Sequence, residues 1–431
     1  PSREREFSGL RRVIRVDAYR ATNDAAIVRE FARFYQGHEA PPANMFPGTA
    51  LTGVVRGLLD ALDYSAVISS YAWTAPIYAP LARRALRVVD LHDVIARHAA
   101  RALEATGTPS PYTIDAGTER FLWRKFDVVL AITPEEAAIV SPALRPTQRL
   151  LTVPHAVQVL DHPPAGQGPV VYVGSDNPSN RRAVTWLLSE VWPRVVGAPP
   201  HASVRVVGPI GGTIDPALTS ARGVTRVEEL RGASLVVAPY LYGSGLKVKV
   251  VEAAAAGRAL VTTSAGAEGT GLVHGEQVLI ADDALGFADA VLRLLDDPAL
   301  REKLAAAARA LVRRRFSDES CYRPLTQVLA APAPVHVPAG VLLDAAIESR
   351  VEMAWQVLER PRVAQGAEEP HAVGLLHLDL RASLALVVGH GGTRALQALL
   401  DEEFVVGLLR HDFDHAVLMR IDDQHTLAGG V

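Results

Sequence analysis

Cysteine is almost absent from the sequence: Cys321 is the single one in 431 residues. One cysteine can form no internal disulfide and supplies no cysteine-based metal site, so the fold needs no oxidising compartment. No uncharged apolar run of about 18 residues occurs, which leaves no candidate for a transmembrane helix. The amino terminus also lacks the basic, apolar and small-residue order of a signal peptide. We therefore expect a cytoplasmic protein.

An excess of charge of either sign is missing as well. The 44 Lys and Arg against 47 Asp and Glu give a formal net charge of −3 at pH 7. Such a balance provides no electrostatic footprint for nucleic acid, so we expect no nucleic-acid partner. Hydrophobic residues at 49% and charged residues at 21% are ordinary for a soluble globular chain. At about 150 residues per domain, the length predicts two or three domains.

Apolar runs typical of strands alternate with helical patterns along most of the chain. This alternation predicts the α/β class, with parallel sheets and crossover helices. In the first 160 residues, strands are predicted at 11–18, 64–71, 86–93, 126–133 and 149–156, and helices at 22–35 and 51–62. A polar stretch with Pro and Gly at 161–169 then marks a predicted domain boundary.

A second α/β unit follows this boundary. Its strands are predicted at 170–175, 203–209, 234–239, 259–263 and 277–281, and its helices at 180–196, 246–256 and 284–315, the last broken at 296–298. Two doubly wound sheets in tandem leave a ligand cleft between the carboxyl ends of their strands. The predicted domains are therefore 1–160 and 161–330, with a Pro-rich linker at 331–340 and an unassigned segment at 341–431.

The stretch 242–263 places charged side chains in a sequence that otherwise reads as buried. If Ser244 is the N-cap of the helix 246–256, a capping box would have Glu or Gln where this chain has Lys247. A cation there faces the positive end of the helix dipole, at a cost of about 0.3–1 kcal/mol. The cost becomes a gain when an anion such as phosphate binds at the same place.

Glu252 lies on the same stripe of this helix as Ser244. A buried carboxylate needs donors, and the two hydroxyls of a ribose would supply them. These features predict a cradle for a nucleoside diphosphate. The residues leave an alternative open, in which Lys247 and Lys249 are solvated and Glu252 pairs with Lys249. For Lys249 we favour that alternative.

Residues 170–330 closely resemble the donor-binding domain of retaining GT-B glycosyltransferases of the glycogen-synthase-like superfamily, in the subgroup with Gly-Ser-Gly-Leu-Lys, here 243–247. The resemblance implies two Rossmann-like doubly wound domains that face a cleft. It rests on 170–195, 203–209, 227–272 and 296–317, and less specifically on 87–93, 126–140 and 150–157.

The resemblance also implies site residues. Lys247 and Arg181 would face the diphosphate, and His92 would contact the donor sugar across the cleft, with Asp93 orienting its ring or binding the acceptor. The implied donor-binding positions are Gly174, Ser175, Arg226, Val227, Ser244, Gly245, Leu246, Glu252 and Gly266. Ser175 stands where many members have Arg, and Ser244 stands where they have a first Glu near the sugar.

The implied activity is transfer of a hexosyl group from a nucleotide-diphosphate sugar, with retention of configuration, in bacterial glycan or glycoconjugate biosynthesis. The expected partners are the nucleotide sugar and a glycan or glycolipid acceptor, the latter with peripheral membrane association. No cofactor and no metal are expected. The alternative is a degenerate, non-catalytic GT-B module that binds nucleotide or serves as a scaffold. The family's usual first strand and Gly-rich loop are absent before residue 11. If the chain is a fragment, part of the acceptor site is missing from it.

Overall fold

A computed structural model of the chain describes residues 25–35, 37–42, 52–53, 55–57, 59, 66–78, 85–110, 112–161, 163, 168–196, 203–214, 230–330, 385–389 and 404–405. Strands and helices alternate over most of these residues, and the strands form two sheets. The predicted α/β class is confirmed.

The first sheet contains four parallel strands in chain order. The elements of this part are α1 (Ala25–Phe34), β1 (Ala66–Ser70), a 3-10 turn (Ala72–Thr74) with the short helix α2 (Ala75–Tyr78), β2 (Leu86–Asp90), α3 (Ile95–Thr106), α4 (Ala116–Trp123), β3 (Val128–Ala131), α5 (Pro134–Val140) and β4 (Arg149–Thr152). Four predicted strands are therefore confirmed, and the strand predicted at 11–18 lies outside the described residues.

The second sheet contains five parallel strands in the order β6-β5-β7-β8-β9. Its elements are β5 (Val170–Val173), α6 (Pro178–Trp186), a π-helical turn (Leu187–Val191) that continues into α7 (Trp192–Val196), β6 (Val204–Val207), β7 (Leu235–Ala238), α8 (Val248–Ala255), β8 (Ala259–Thr262), α9 (Ser264–Ala267), β9 (Leu279–Ile280), α10 (Ala284–Asp296) and α11 (Pro298–Arg315). The five predicted strands and the helix break before Pro298 are confirmed.

The strand order of the second sheet fixes where a ligand crevice opens. From β5 the chain moves to one side into β6 and then returns to the other side as β7. The connections that leave the carboxyl ends of β5 and β7 therefore diverge, and ligands of open α/β sheets bind at such a switch point. Gly174 and Ser175 follow β5, and residues 239–247 follow β7.

Two later segments return to the first sheet. Leu325 and Val328 of helix α12 (Asp318–Ala330) pack against Ile68 and Val88 of that sheet, although α12 lies within the range predicted for the second domain. Strand β10 (Ala385–Gly389) pairs antiparallel with β1, and β11 (Phe404–Val405) pairs antiparallel with β10. The segment 341–431, unassigned from the sequence, thus adds two strands to the edge of the first sheet. Within the described part of the chain, no helix is long and apolar enough to span a membrane.

Candidate functional site

The loop that follows β7 comes very close to the first domain. Gly243 and Gly245 have φ angles of 134° and 69°, which are strained for any residue with a Cβ. A Cβ on Gly245 would also lie only 3.2 Å from the backbone oxygen of His92. The glycines therefore let the loop turn and pass directly against the segment after β2.

Helix α8 begins later than the sequence predicts, and Ser244 does not cap it. The helix starts at Val248 rather than Leu246, and the N-cap position is occupied by Lys247 with no side-chain cap. The Ser244 hydroxyl donates instead to Oδ1 of Asp93 at 2.6 Å. The capping prediction was wrong because a carboxylate from the other domain competes for this hydroxyl. Gly257 follows the helix with a φ of 69°, as predicted.

Lys247 is a buried cation, with 7% of its surface exposed. Its Nζ donates to the backbone oxygens of Ser244 at 2.6 Å and of Gly245 at 3.1 Å. An ammonium has three N–H donors, so one remains without an acceptor among the described residues. Burial lowers the pKa of Lys247, while the carboxylates of Asp93 and Glu268 oppose that shift. The arrangement suits an incoming anion.

Asp93 contacts side chains of both domains. Its Oδ1 accepts from Ser244, and its Oδ2 lies 3.1 Å from Nδ1 of His98. Burial raises the pKa of Asp93, but its contacts with His98, Glu136 and Ser244 outweigh burial and lower the pKa overall. Asp93 therefore carries the negative charge at the interface. The sequence predicts that Asp93 orients the ring of His92 or binds the acceptor; the carboxylate that lies next to that ring is Asp90, and the acceptor role stays a prediction.

Two glutamates supply the cap that helix α3 lacks. Its N-cap residue, Val94, has no capping side chain, but its N–H donates to Oε1 of Glu136 at 3.1 Å. Glu119 accepts from the N–H groups of Ile95 and Ala96 at 2.8 and 3.0 Å. Burial is the main cause that raises the pKa of Glu119 to about 7 and that of Glu136 to about 9. The base of the cleft therefore holds carboxyl groups with strongly perturbed pKa values.

Glu268 links the two domains by ion pairs with two arginines of α3. Its Oε1 lies 2.5 Å from Nη2 of Arg97, and its Oε2 contacts Nη1 of Arg101. The same Arg101 nitrogen donates to the backbone oxygen of Gly243 at 2.7 Å. Burial raises the pKa of Glu268, but the two arginines reverse the shift and lower it. The loop that carries Lys247 is thus fixed to the first domain at two points.

His92 adopts a left-handed backbone conformation with a φ of 55°. Its N–H donates to Oδ1 of Asp90 at 3.2 Å, and its Nδ1 lies 3.7 Å from Oδ2 of the same residue. Its ring contacts that of Tyr71, with centroids 4.8 Å apart, and Tyr71 also has a positive φ, of 62°. Each such residue costs about 1–3 kcal/mol and is held by its surroundings, which is frequent at functional sites.

Gly174 and Ser175 form the turn after β5. The N–H of Gly174 donates to Val207 at 2.9 Å, and a Cβ at this position would lie 2.8 Å from the ring of Tyr172. The backbone oxygen and hydroxyl of Ser175 both accept from Nδ2 of Asn180, at 2.9 and 3.1 Å. Ser175 is therefore a structural part of this turn, whose tight packing admits only glycine before it.

Arg181 lies in the first part of α6 and is directed toward solvent. Its Nε and Nη2 donate to the two carboxylate oxygens of Asp176 at 2.5 and 2.8 Å, and its side chain is 56% exposed. The hydrogen bonds to Asp176 raise the pKa of Arg181. Its guanidinium is thus paired on the surface, while Lys247 is buried at the domain interface.

Gly266 lies in the short helix α9, which follows β8 and has Thr263 as its N-cap. Its N–H donates to the hydroxyl of Thr263 at 3.1 Å, and an added Cβ would lie 2.0 Å from Oγ1 of Thr262. No larger residue fits here, and Gly266 itself is buried. Its contact with the donor sugar stays a prediction.

The other predicted donor-binding residues differ in how far they are buried, and two of them lie outside the described part of the chain. Leu246 is buried and belongs to a core cluster that also contains Ile132 of the first domain. Glu252 is half-buried on α8. Arg226 and Val227 lie outside the described residues. The structure therefore brings Ser244, Gly245, Leu246, Lys247 and the backbone of His92 together.

Sequence reasoning missed Glu119, Glu136 and Glu268 as parts of this site. A local signal existed for Glu136, because Thr133 and Glu136 have the spacing of a capping box at the start of α5. Among the residues that the structure describes, no group of three or more His, Cys, Asp and Glu side chains is placed to hold a metal ion.

Comparison with known proteins finds sequence matches in the second domain and structural matches over 66–68% of the chain. Residues 168–297 match the family model described as Glycosyl transferases group 1, so this part carries a domain of that type. A relative from Klebsiella pneumoniae, described as an uncharacterized 44.6 kDa protein in the cps region, is 27% identical over 169 residues. That alignment covers 36% of this chain and 44% of the relative.

Two solved structures resemble the chain in fold. The pneumococcal O-GlcNAc transferase GtfA, in complex with UDP and GlcNAc, has a TM-score of 0.51 and 13% identity, over 66% of this chain and 60% of that chain. Sucrose-phosphate synthase from Thermosynechococcus elongatus has a TM-score of 0.50 and 16% identity, over 68% of this chain and 81% of that chain. With its two Rossmann-like sheets, the chain has the predicted GT-B fold. It spans under two thirds of the Klebsiella relative and of GtfA.

Proposed function

We propose that the protein is a glycosyltransferase that transfers a sugar from a nucleoside-diphosphate sugar to a glycan or glycolipid acceptor in glycan or glycoconjugate biosynthesis. The observation that carries the proposal is Lys247, a buried ammonium at the start of α8 that keeps one N–H donor. The group 1 glycosyltransferase match over 168–297 includes this residue and its loop.

The chemistry needs a group that holds negative charge. Breaking the anomeric C–O bond leaves a diphosphate with extra charge on its oxygens, and preorganised donors at that point lower the barrier. Lys247 is held in place by Ser244 and Gly245, so it loses little freedom when it binds phosphate. The positive end of the α8 dipole adds to the same field. We also propose that these groups suffice without a cofactor or a bound metal.

The sugar would bind between the loop after β7, the turn at Gly266 and the segment at His92. The backbone N–H of His92 donates to Asp90, and Nδ1 of its ring lies 3.7 Å from the same carboxylate, so Asp90 would orient this residue. The ion pairs of Glu268 with Arg97 and Arg101 keep the two domains in contact, which would exclude water and limit hydrolysis of the donor.

The proposal extends to the stereochemistry of the reaction, its proton acceptor and its location. We propose a retaining hexosyltransferase in which the leaving phosphate accepts the proton of the acceptor hydroxyl, so that no protein base is required. The location would be cytoplasmic, with peripheral membrane association where the acceptor is a glycolipid. Anomeric configuration in the product, read by proton NMR coupling constants, decides between retention and inversion.

The test is a transfer assay on the full chain with UDP-, GDP-, dTDP- and ADP-sugars and an acceptor mixture from bacterial surface glycan. Lys247→Ala should lower kcat/KM for the active donor by about 10²–10³-fold, the typical effect of removing one transition-state donor. Lys303→Ala is the matched control, because it removes an exposed lysine of α11 and should leave kcat/KM unchanged. Equal activity of the two variants would refute the role of Lys247.

One observation favours a second candidate, a nucleotide-binding module without catalysis. Arg181, the other predicted counter-charge, is exposed and paired with Asp176. A chain that binds a nucleoside diphosphate through Lys247 but shows no transfer and no donor hydrolysis would support this candidate.

A further inference from the structure

A buried pair of carboxyl groups lies behind Lys247, where the two domains meet. Asp93 accepts from Ser244 across the interface at 2.6 Å, and its other oxygen lies 3.1 Å from His98. Glu136, which is fully buried on α5, lies against Asp93 and accepts from the N–H of Val94 through Oε1. Two acidic groups thus share one small, dry region.

The hydrogen bond from Ser244, the hydrogen bond from Val94 and the contact with His98 account for three of the four oxygens of the pair. Oε2 of Glu136 is buried and has no hydrogen-bond partner among the described residues if this carboxyl is ionised. An ionised carboxylate without a donor, next to a second carboxylate, is strongly unfavourable in a buried position. A proton on Glu136 removes this cost, because the neutral acid can donate to Asp93.

We propose that Asp93 and Glu136 share a single proton and act as a positioning pair, which anchors Ser244 and thereby holds the loop 243–247, with Lys247, against the first domain. The pair carries one negative charge rather than two. Its role in catalysis rests on the function proposed above for Lys247, but its protonation and its hold on the loop do not.

The single charge matters for the anion that Lys247 would bind. The ionisable groups around Glu136 and its partner are Asp93, His98 and Arg101 from the β2–α3 region, Glu119 from α4, and Lys247 and Glu268 from the second domain. A negative charge on Glu136 would add a third carboxylate to those of Asp93 and Glu268 near Lys247 and weaken its attraction for a diphosphate. When Glu136 is neutral, the positive charge of Lys247 remains available to attract the diphosphate.

The raised pKa of Glu136 supports the presence of a proton on this pair. Burial, and then the charge of Asp93, raise it to about 9 from an ordinary value near 4.5. A raised carboxyl pKa means that the folded protein keeps a proton which the unfolded chain has lost, so stability decreases as pH rises toward 9. Glu119, with a pKa of about 7, contributes to the same trend only below about pH 7. Cys321, whose thiol pKa burial also raises, is present in both the wild type and a Glu136 variant, so the difference between the two proteins from pH 7 to pH 9 isolates Glu136.

The first experiment compares the thermal unfolding of the wild type with that of Glu136→Gln at pH 7, 8 and 9. Gln mimics the neutral acid and does not titrate, so the melting temperature of the wild type should fall by several degrees relative to that of the variant across this window. Glu135→Gln, a change at the exposed neighbouring residue, is the control and should run parallel to the wild type. A constant difference between wild type and Glu136→Gln would overturn the shared proton.

The second experiment tests the positioning role by amide hydrogen exchange in the loop 243–247 at pH 7, without ligand. Ser244→Ala and Glu136→Ala should accelerate exchange there by about tenfold, whereas Glu136→Gln should retain the wild-type rate. Unchanged exchange in Ser244→Ala, or equal acceleration in Glu136→Gln and Glu136→Ala, would overturn the role of the pair. Separate titrations of each variant with UDP and GDP then test the function proposed for Lys247, whose failure would leave the exchange result standing.

Discussion

The hydroxyl of Ser244 donates a 2.6 Å hydrogen bond to Oδ1 of Asp93, a residue 151 positions earlier in the chain. This bond joins the loop after β7 of the second sheet to the segment after β2 of the first. Because the backbone oxygen of Ser244 also accepts from Lys247, the bond connects the buried cation to the opposite domain. The geometry of the cleft floor therefore depends on both domains at once.

Loss of the Glu268 carboxylate should destabilise the contact between the domains. Glu268→Gln leaves Arg97 and Arg101 without their anion, and since all three side chains are partly exposed we expect a loss of about 1–2 kcal/mol in the free energy of unfolding. Chemical denaturation measures this loss. Asp161→Asn, which removes the partner of the exposed Arg313, should cost under about 1 kcal/mol. A larger effect at Asp161 would contradict the assignment.

A methyl group at Gly266 should disrupt the turn after β8. The added Cβ would lie 2.0 Å from Oγ1 of Thr262, whose hydroxyl is bonded to Ala238 and cannot move freely. Overpacking of this kind costs about 1–3 kcal/mol, which urea denaturation would detect for Gly266→Ala. Gly212→Ala is the control, because nothing lies within 4 Å of its Cβ position. Equal stability of the two variants would disprove the crowding.

Glu119 should make stability dependent on pH in the acidic range. Its pKa is raised to about 7 by burial, so the folded state holds a proton that the unfolded chain releases near pH 4.5. The contribution of this residue to stability should therefore fall by about 3 kcal/mol between pH 4.5 and pH 7. Unfolding curves of Glu119→Gln should show a weaker pH dependence over this range, whereas the exposed-site change Glu104→Gln should match the wild type.

A substitution at His92 that tolerates its positive φ should affect activity much more than stability. Asn tolerates the left-handed conformation better than most residues, so His92→Asn should change the free energy of unfolding by less than about 1 kcal/mol. If His92 contacts the donor sugar as proposed, the same variant should lose about 10–100-fold in kcat. Thermal unfolding and the transfer assay measure the two effects. Wild-type kcat in this variant would show that His92 has only a structural role.

The sheets could be predicted because their strands are short apolar runs, and a run of apolar residues is visible in the sequence without knowledge of distant contacts. The stretches that became β5 and β7, for example, are buried along their full length. The start of α8 could not be predicted, because it depends on a competition between local capping and a distant carboxylate. Ser244 has the local chemistry of an N-cap, but Asp93 lies across the interface and accepts its hydroxyl.

The same limit applies to the charged residues of the site. Lys247 was identified because it violates a local rule for helix starts, and such violations are visible in the sequence. Glu119 and Glu136 violate no local rule of helix formation. They accept hydrogen bonds from the first N–H groups of α3 only because α4 and α5 pack against that helix. The role of Arg181 rests on the resemblance, which gives no role to Asp176, the residue five positions earlier with which Arg181 pairs.

The most direct measurement is a thermal-shift titration of the full chain with UDP, GDP, dTDP and ADP, repeated on Lys247→Ala and Lys303→Ala. At 100 times its dissociation constant, a ligand stabilises the folded state by about 2.7 kcal/mol, which raises the melting temperature measurably. The account predicts that one nucleoside diphosphate stabilises the wild type and Lys303→Ala but not Lys247→Ala. Stabilisation of all three proteins alike, or of none, would contradict it.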